Sequence, residues 1–560
     1  MITSYEALGK WENFLRKAGK VLGDPVLRRW AIEYLTNGTQ TQLFTAHFPL
    51  YLKKFLPLFE EKPDCQFPAF SMEQSNDTCL LPLAGQRVEV TSDTINHLFE
   101  YSFKDPETFL SLHRFAWVSE LGKDIDPFWV NRIWIAWQEH YGCAKDNLVW
   151  HPYTVAERAI NILNFSQRYG LPGEREKSLA TLVAHALAIS NKLEYYGEHN
   201  TSNHLANNGR GLFYLGLFLG MPNCADLGGE ILLFESNRIF LPSGILREGS
   251  THYHALLTRN YAEAFQVAKA FKRREAPELY RIVEKGLKTI RSLTLPGRFP
   301  LFGDISPDRT PKMVLEELDA SITEKLDDNT EDLKKDGWWR LDASDWSGLW
   351  HVPKMGWCQY PGHGHQDCGS FELHYLDIPI FVDPGKGEYG EGKEAKYYYS
   401  GLAHNLLMIN SCDPYPNNKP YFSDLFRKKI VPICPEFAVS NSVARLTHYG
   451  FSRLRGVGAT SRDWSFKQNL FTVSDQVEGN GKHYVIRNFC TSLDVKKSDG
   501  SLILFNNKIS FRLSCDEKSV FNLQEGKCWN AYGEGVKATF IRVSCFAELP
   551  WYGEITVKKE

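Results

Sequence analysis

The sequence predicts an α+β chain of two successive parts, an all-helical layer followed by an antiparallel β-sandwich. Three observations predict it. Apolar residues recur every three or four positions between about residue 100 and residue 295, and the period falls to two from about residue 340 onward. Between these regions, residues 323–337 are charged and weakly apolar, as a linker is. A chain of 560 residues also exceeds what one core holds.

Residues 1–100 are expected to be a helical extension of the layer that follows. Within 101–325, Val130, Ile133, Trp134, Trp137 and Tyr141 form one buried stripe, and similar stripes recur over 155–163, 179–193, 205–219 and 255–271. Short Gly, Pro and Asn punctuation separates them, as in Gly170-Leu-Pro-Gly173 and Gly220-Met-Pro-Asn223. Helices joined this closely make either a solenoid or a closed ring of hairpins. A linker is placed at 326–340. Over 341–560, segments 370–375, 378–382, 466–473, 483–488 and 501–505 read as strands, rich in β-branched and aromatic residues and bounded by Gly, Asn and Asp.

Composition excludes several functions. The 64 Lys+Arg nearly balance 67 Asp+Glu, a net charge of −3, which argues against a dedicated nucleic-acid binder. Twelve cysteines with no C-x-x-C pair fit neither a disulfide framework nor a cysteine zinc site. The start of the sequence has no secretory signal pattern and no run reaches the roughly 18 apolar residues of a membrane span. A cytoplasmic location is therefore expected, or a periplasmic one if a native signal is missing. The aromatic fraction of 13% is high, and it divides between a thick core and a cleft for sugar rings.

Four clusters carry candidate chemistry. In Asn200-Thr-Ser-Asn-His-Leu-Ala-Asn-Asn208 the amides either cap the helix that follows or, with His204, form a site. In Arg247-Glu-Gly-Ser-Thr-His-Tyr-His254, Ser250 or Thr251 caps the next helix, and Tyr253 is either a core phenol or a reactive one. In Pro361-Gly-His-Gly-His-Gln-Asp-Cys-Gly369 an extended backbone points His363 and His365 to one side, a way to present two imidazoles to one metal. Asp383 and His404 add ligand types that suit zinc. Gly385-Lys-Gly-Glu-Tyr-Gly390 matches G-x-G-x-x-G, but no helix is expected to open on it, so the nucleotide reading is discarded.

Three stretches read together, His363 to Tyr375, Ile380-Phe-Val-Asp-Pro-Gly385 and Ala403-His-Asn405, resemble the H-x-H-x-D, S-F-E, V-D-P-G and A-H-N signature of the heparinase II/III-like polysaccharide lyases. Upstream, Trp150 to Asn161, Asn203-His204 and Glu248 to His254 are similar to that family's helical motifs, in the right order over about residues 110–490. The resemblance implies an incomplete (α/α) toroid followed by an antiparallel β-sandwich, and β-elimination on a uronic-acid-containing polysaccharide. It implies that Asn203 neutralises the uronate carboxylate, Tyr253 is general base and acid, His204 is an alternative base and His363 a supporting catalytic histidine. It further implies one structural zinc on His365, Asp383 and His404, no organic cofactor, and an acidic polysaccharide as partner. Substrate contacts are expected from Trp150, Tyr153, Arg158, Asn207, Arg247, Glu248, His254 and Asp304.

These residue types suit the reaction. Removing the C5 proton of a uronate spreads charge onto an anionic carboxylate, which a donor such as Asn203 has to neutralise first. A phenol with a pKa of about 10 is a weak base unless positive charge lowers that value, and His252, His254 or His363 are placed to supply it. Two other readings stand beside this one: a glycan-binding or assembly protein of a surface-polysaccharide pathway without turnover, and a glycoside hydrolase using Glu248, Asp304 or Asp308.

Overall fold

The computed structural model describes residues 19, 21–37, 50–53, 62–70, 77–145, 147–197, 201–321, 329–357, 362–390, 392–419 and 421–560. Asn200, Pro361 and residues 326–328 of the expected linker lie outside these.

Each apolar stripe becomes a helix. Pro152–Tyr169, His204–Leu219 and Thr251–Ala270 stand side by side as an inner wall, and Arg175–Asn191, Pro222–Ile239 and Ala276–Leu293 return outside them. This is the incomplete ring of hairpins, not a solenoid. His204–Leu219 is buried on nearly every side, so its stripe is broad and it carries glycines at contact points. A Cβ on Gly216 would stand 2.1 Å from the backbone nitrogen of Ala225, so only glycine lets this hairpin close.

The sandwich pairs two antiparallel sheets. The smaller runs Trp338–Ala343, Trp346–His351, Ser370–Tyr375, Ile378–Phe381. The larger centres on two long strands, Leu470–Thr491 and Glu534–Lys559, paired in register from Leu470↔Lys558 to Thr491↔Thr539 with one irregularity. Trp346, Trp350, Phe371, Trp464, Phe471 and Phe511 fill the space between the sheets. Much of the aromatic excess is thus core. A second core draws Tyr253, Leu256 and Phe302 from the helical part together with Trp338, Val382, Trp529 and Phe540 from the sandwich. That shared core fixes the seam at which the polar clusters meet.

Two expectations are corrected. The region 1–100 is not purely helical: Thr78–Leu83 and Gln86–Thr91 form a hairpin, with Cys79, Leu81 and Leu83 inward and Gly85 turning at φ +76°. Segment 466–473 is not one strand but the tip of a hairpin, Phe466 pairing with Phe471. Among the described residues no helix is long and apolar enough to cross a membrane.

Candidate active site

The three inner helices present their N-terminal ends at one mouth of the ring, facing the sandwich. Ser250 caps Thr251–Ala270 by accepting the N–H of Tyr253 at 3.1 Å, which sets Tyr253 on the first turn. Asn203 heads His204–Leu219 but makes no capping bond with its side chain. Its Nδ2 donates to Glu248 Oε2 at 2.8 Å and its backbone N–H to Glu248 Oε1 at 2.9 Å. Glu248, expected at the sugar, is fully buried and acts as the clamp on Asn203. An amide nitrogen carries two hydrogens, so Asn203 keeps one for a ligand. Arg247 donates to Thr201 O at 2.6 Å and holds the approach to Asn203.

Tyr253 lies against the sandwich. Its ring stacks on His363 with centroids 3.6 Å apart and planes 10° apart, and its hydroxyl is 2.5 Å from that of Tyr389. Burial, followed by the Asp308 carboxylate, raises the Tyr253 phenol well above 10, and Tyr389 is raised likewise by burial and by Tyr253. The expected lowering by neighbouring histidines is corrected. Burial drops His252 to about 3 and His254 to about 4, so both are neutral at pH 7. His252 Nδ1 accepts the N–H of Ser306, and His254 Nδ1 that of Leu246.

His363 and His365, whose spacing suggests one shared metal, instead share the Asp304 carboxylate. Asp304 Oδ2 is 3.2 Å from His363 Nδ1, and Oδ1 is 2.9 Å from His365 Nε2 and 2.8 Å from Lys386 Nζ. Burial opposes its charge, but Lys386 and the two imidazoles hold Asp304 well below the usual carboxylate range. Asp304 is therefore an anchor for His363, His365 and Lys386 rather than a sugar contact.

Beyond His365, the His404 ring lies 5.2 Å away by centroids, and His404 Nδ1 is 2.8 Å from Asp383 Oδ2. His365 Nδ1 and His404 Nε2 are buried without a hydrogen-bond partner among the described residues. Two imidazoles and a carboxylate are a fitting donor set for zinc. Among the described residues, however, no three His, Cys, Asp or Glu side chains gather as a metal cage.

At the opposite side of the mouth His204 Nδ1 is 2.7 Å from Glu194 Oε1, and Glu194 also accepts Asn208 Nδ2 at 2.9 Å. Burial lowers the His204 pKa, but Glu194 outweighs it and holds the value above 6.5. Tyr153 lies 4.6 Å from the His204 ring by centroids and donates to Asp308 Oδ2 at 2.6 Å; Arg114 donates to Oδ1 at 2.7 Å.

Three expected sugar contacts belong to the core instead. Arg158 is fully buried, donates to the carbonyls of His113 and Val149, and lies 4.1 Å over the Trp137 ring. Trp150 is buried with Nε1 on Tyr141 O, and His254 faces Leu246 and Gly286. Asn207 is buried one turn beyond Asn203, and its Nδ2 has no hydrogen-bond partner among the described residues. The glycosidase reading loses its carboxylates, because Glu248, Asp304 and Asp308 are all committed to protein donors. Sequence reasoning missed Lys386, Tyr389, Glu194 and the bridging role of Asp308. The first two lie in the discarded glycine-rich stretch, where a Lys and a Tyr in a turn after a strand were the available signal.

Other motif residues are structural. Glu372 forms a two-bond pair with Arg298, at 2.6 and 2.8 Å, and sits at about 2 despite burial because of that partner. Asn405 ties Phe371 O, Val382 O and Cys490 N together. Breaking the buried pair with Arg298→Met is expected to cost about 3–5 kcal/mol, read from denaturant unfolding; a change below 1 kcal/mol would refute that role.

A helical ring joined to an antiparallel sandwich, with amide, phenol and imidazoles at the seam, is the architecture of toroid-and-sandwich proteins. Residues 327–551 match the family model described as Heparinase II/III-like, C-terminal. No curated protein matches the chain. A heparinase III crystal structure is 15% identical, with a TM-score of 0.63, covering 82% of this chain and 78% of that one. A heparinase III gene product is 18% identical, TM-score 0.58, covering 84% and 83%. A heparan sulfate lyase mutant from Pedobacter heparinus is 17% identical, TM-score 0.54, covering 82% and 78%. At this identity the likeness is one of fold. Residues 327–551 are thus similar to the heparinase II/III-like C-terminal domain, and the chain shares the toroid-and-sandwich fold of these structures.

Proposed function

We propose that the chain is a carbon-oxygen lyase that cleaves a uronic-acid-containing polysaccharide by β-elimination. The observation that carries this reading is Tyr253 at the seam, its hydroxyl on Tyr389 and its ring on the face of His363, together with an Asn203 clamped by Glu248. Asn203 Nδ2 and the inner-helix N-termini offer donors and positive potential to the uronate carboxylate. With that charge met, a base removes the C5 proton, the C4–O4 bond breaks, a C4=C5 double bond forms, and O4 takes a proton.

A phenol raised above 10 holds its proton at rest, so Tyr253 is set to protonate O4. His204, oriented by Glu194 through Nδ1, presents Nε2 as the base. For substrates whose C5 proton lies on the Tyr253 face, Tyr253 acts as base only after giving up its own proton, which its burial opposes, so these are expected to be cleaved more slowly. The raised His204 pKa has a defined sign: its base form accumulates only as pH rises through that value. On the substrates that use it, the acid limb of kcat/KM is expected to lie above 6.5 and to vanish in His204→Gln. A limb unchanged in that variant would exclude His204 as the base.

Zinc belongs to the same proposal. The buried, unpartnered His365 Nδ1 and His404 Nε2 support a site on these two rings, and Asp383, which bonds the other nitrogen of His404, would turn to join them as the third ligand. When bound, zinc would supply a structural cross-link and positive charge behind Asp304. Metal analysis is expected to find about one equivalent, with stability lost in His404→Ala; protein free of metal and equally stable would end that part. The reaction itself is tested by ultraviolet absorbance of an unsaturated uronyl product across glycosaminoglycans, alginates and bacterial capsular polymers. No product from any of them would overturn the lyase reading.

A further inference from the structure

A cavity of about 540 Å³ opens at the far mouth of the helical ring, away from Tyr253. Its wall is the C-terminal half of the same inner helices whose N-termini build the active site, closed by the segment around Arg309 and by Pro311–Ser321. The volume falls in the range of small-molecule sites. We infer that this cavity is a second binding site, for a carboxylate-bearing sugar of one or two rings.

Charge selects an anion. The lining holds four cationic side chains, Lys123, Arg168, Arg259 and Arg309, against two carboxylates, Glu263 and Glu317. Arg259 is spent on these carboxylates, at 2.7 Å from each. Arg309 is not spent. Its side chain is 9% exposed and one nitrogen meets Glu317, while Nε and Nη1 have no hydrogen-bond partner among the described residues. Buried charged donors are costly to leave unfilled, so an acceptor belongs there. The inner helices bring partial negative charge to this end, which Arg168 in the last turn of Pro152–Tyr169 offsets.

The remaining lining selects a sugar over a bare anion. Asn164, Gln167 and Gln266 offer paired donors and acceptors of the kind that match hydroxyls, and Asn161, whose Nδ2 also donates to Arg114 O, adds its acceptor. Phe165 and Tyr169, 5.1 Å apart by centroids, supply an apolar wall. A small polar pocket of about 20 Å³ shares Asn161, Arg259 and Arg309 with this cavity and is also lined by Arg114 and Asp308. Asp308 holds Tyr153 beside His204, so occupancy of the far mouth adjoins the same ion-pair chain that reaches the active site.

The test is calorimetric titration of the full chain with glucuronate, galacturonate, glucose and inorganic phosphate. It is run in Asn203→Ala, which removes the carboxylate donor of the catalytic cleft. One uronate is expected to bind, at least tenfold more weakly in Arg309→Met and in Gln266→Trp, where an indole at the exposed rim fills the cavity. Absence of uronate binding, binding unchanged in both variants, or equal binding of glucose or phosphate would each overturn the inference. The probes contain no cleavable glycosidic bond, so a failure here is distinct from failure of the lyase reading.

Discussion

Tyr253→Phe is expected to lower kcat by about 10³-fold or more, with KM changed only a few-fold, in a protein that folds normally. The magnitude follows from removing a positioned acid, which contributes about 10²–10⁴-fold. The ring supplies the stack on His363, and phenylalanine keeps it, so structure and binding are preserved. Only the oxygen is lost. Tyr389 lies 2.5 Å from that oxygen and is itself raised well above 10 by burial, so it is a second protonated phenol, held in place through its hydrogen bond to Tyr253. Tyr389→Phe is accordingly expected to be milder, about 10–10²-fold, because it removes a partner of the reacting group. Steady-state rates on any polymer found to be cleaved decide the matter; full activity in Tyr253→Phe would remove this residue from the mechanism.

The sequence carries the inner wall of the ring almost intact, because its stripes are long and their period is clean. Val155 and Leu163 fall inside Pro152–Tyr169, and Leu205 to Leu219 is the helix His204–Leu219. The hairpin at Thr78–Thr91 was hidden by its brevity: six residues of alternation on each side of Ala84-Gly85 compete poorly with a helical context. In the site, Asn203, Tyr253 and His363 are legible because motif spacing preserves their order. Their partners are not, since Lys386 meets Asp304 across 82 residues and Tyr389 meets Tyr253 across 136. Only the packing of sandwich on ring creates those contacts. Arg158 misleads for the opposite reason. A guanidinium in a motif suggests an anionic ligand, whereas here backbone carbonyls and the Trp137 face take it into the core.

Asp304→Ala is expected to cost about 3–5 kcal/mol of stability and about 10²-fold or more in kcat, since it removes the common acceptor of three groups. Lys386 Nζ would be left buried and unpaired, and His363 would lose the bond that fixes its ring beneath Tyr253. The two effects separate in Asp304→Asn, which keeps the size but not the charge: geometry is largely restored while the ionic anchoring of Lys386 is not. The pH dependence has a definite sign. Folding depresses the Asp304 pKa, so its contribution is present above the carboxylate's unfolded value of about 3.9 and is lost as pH falls through the folded value. The native chain is therefore expected to tolerate acid further than Asp304→Asn does. The two unfolding curves should lie furthest apart near neutral pH and converge toward strong acid. A constant gap between them at every pH would show that Asp304 acts by shape and not by charge.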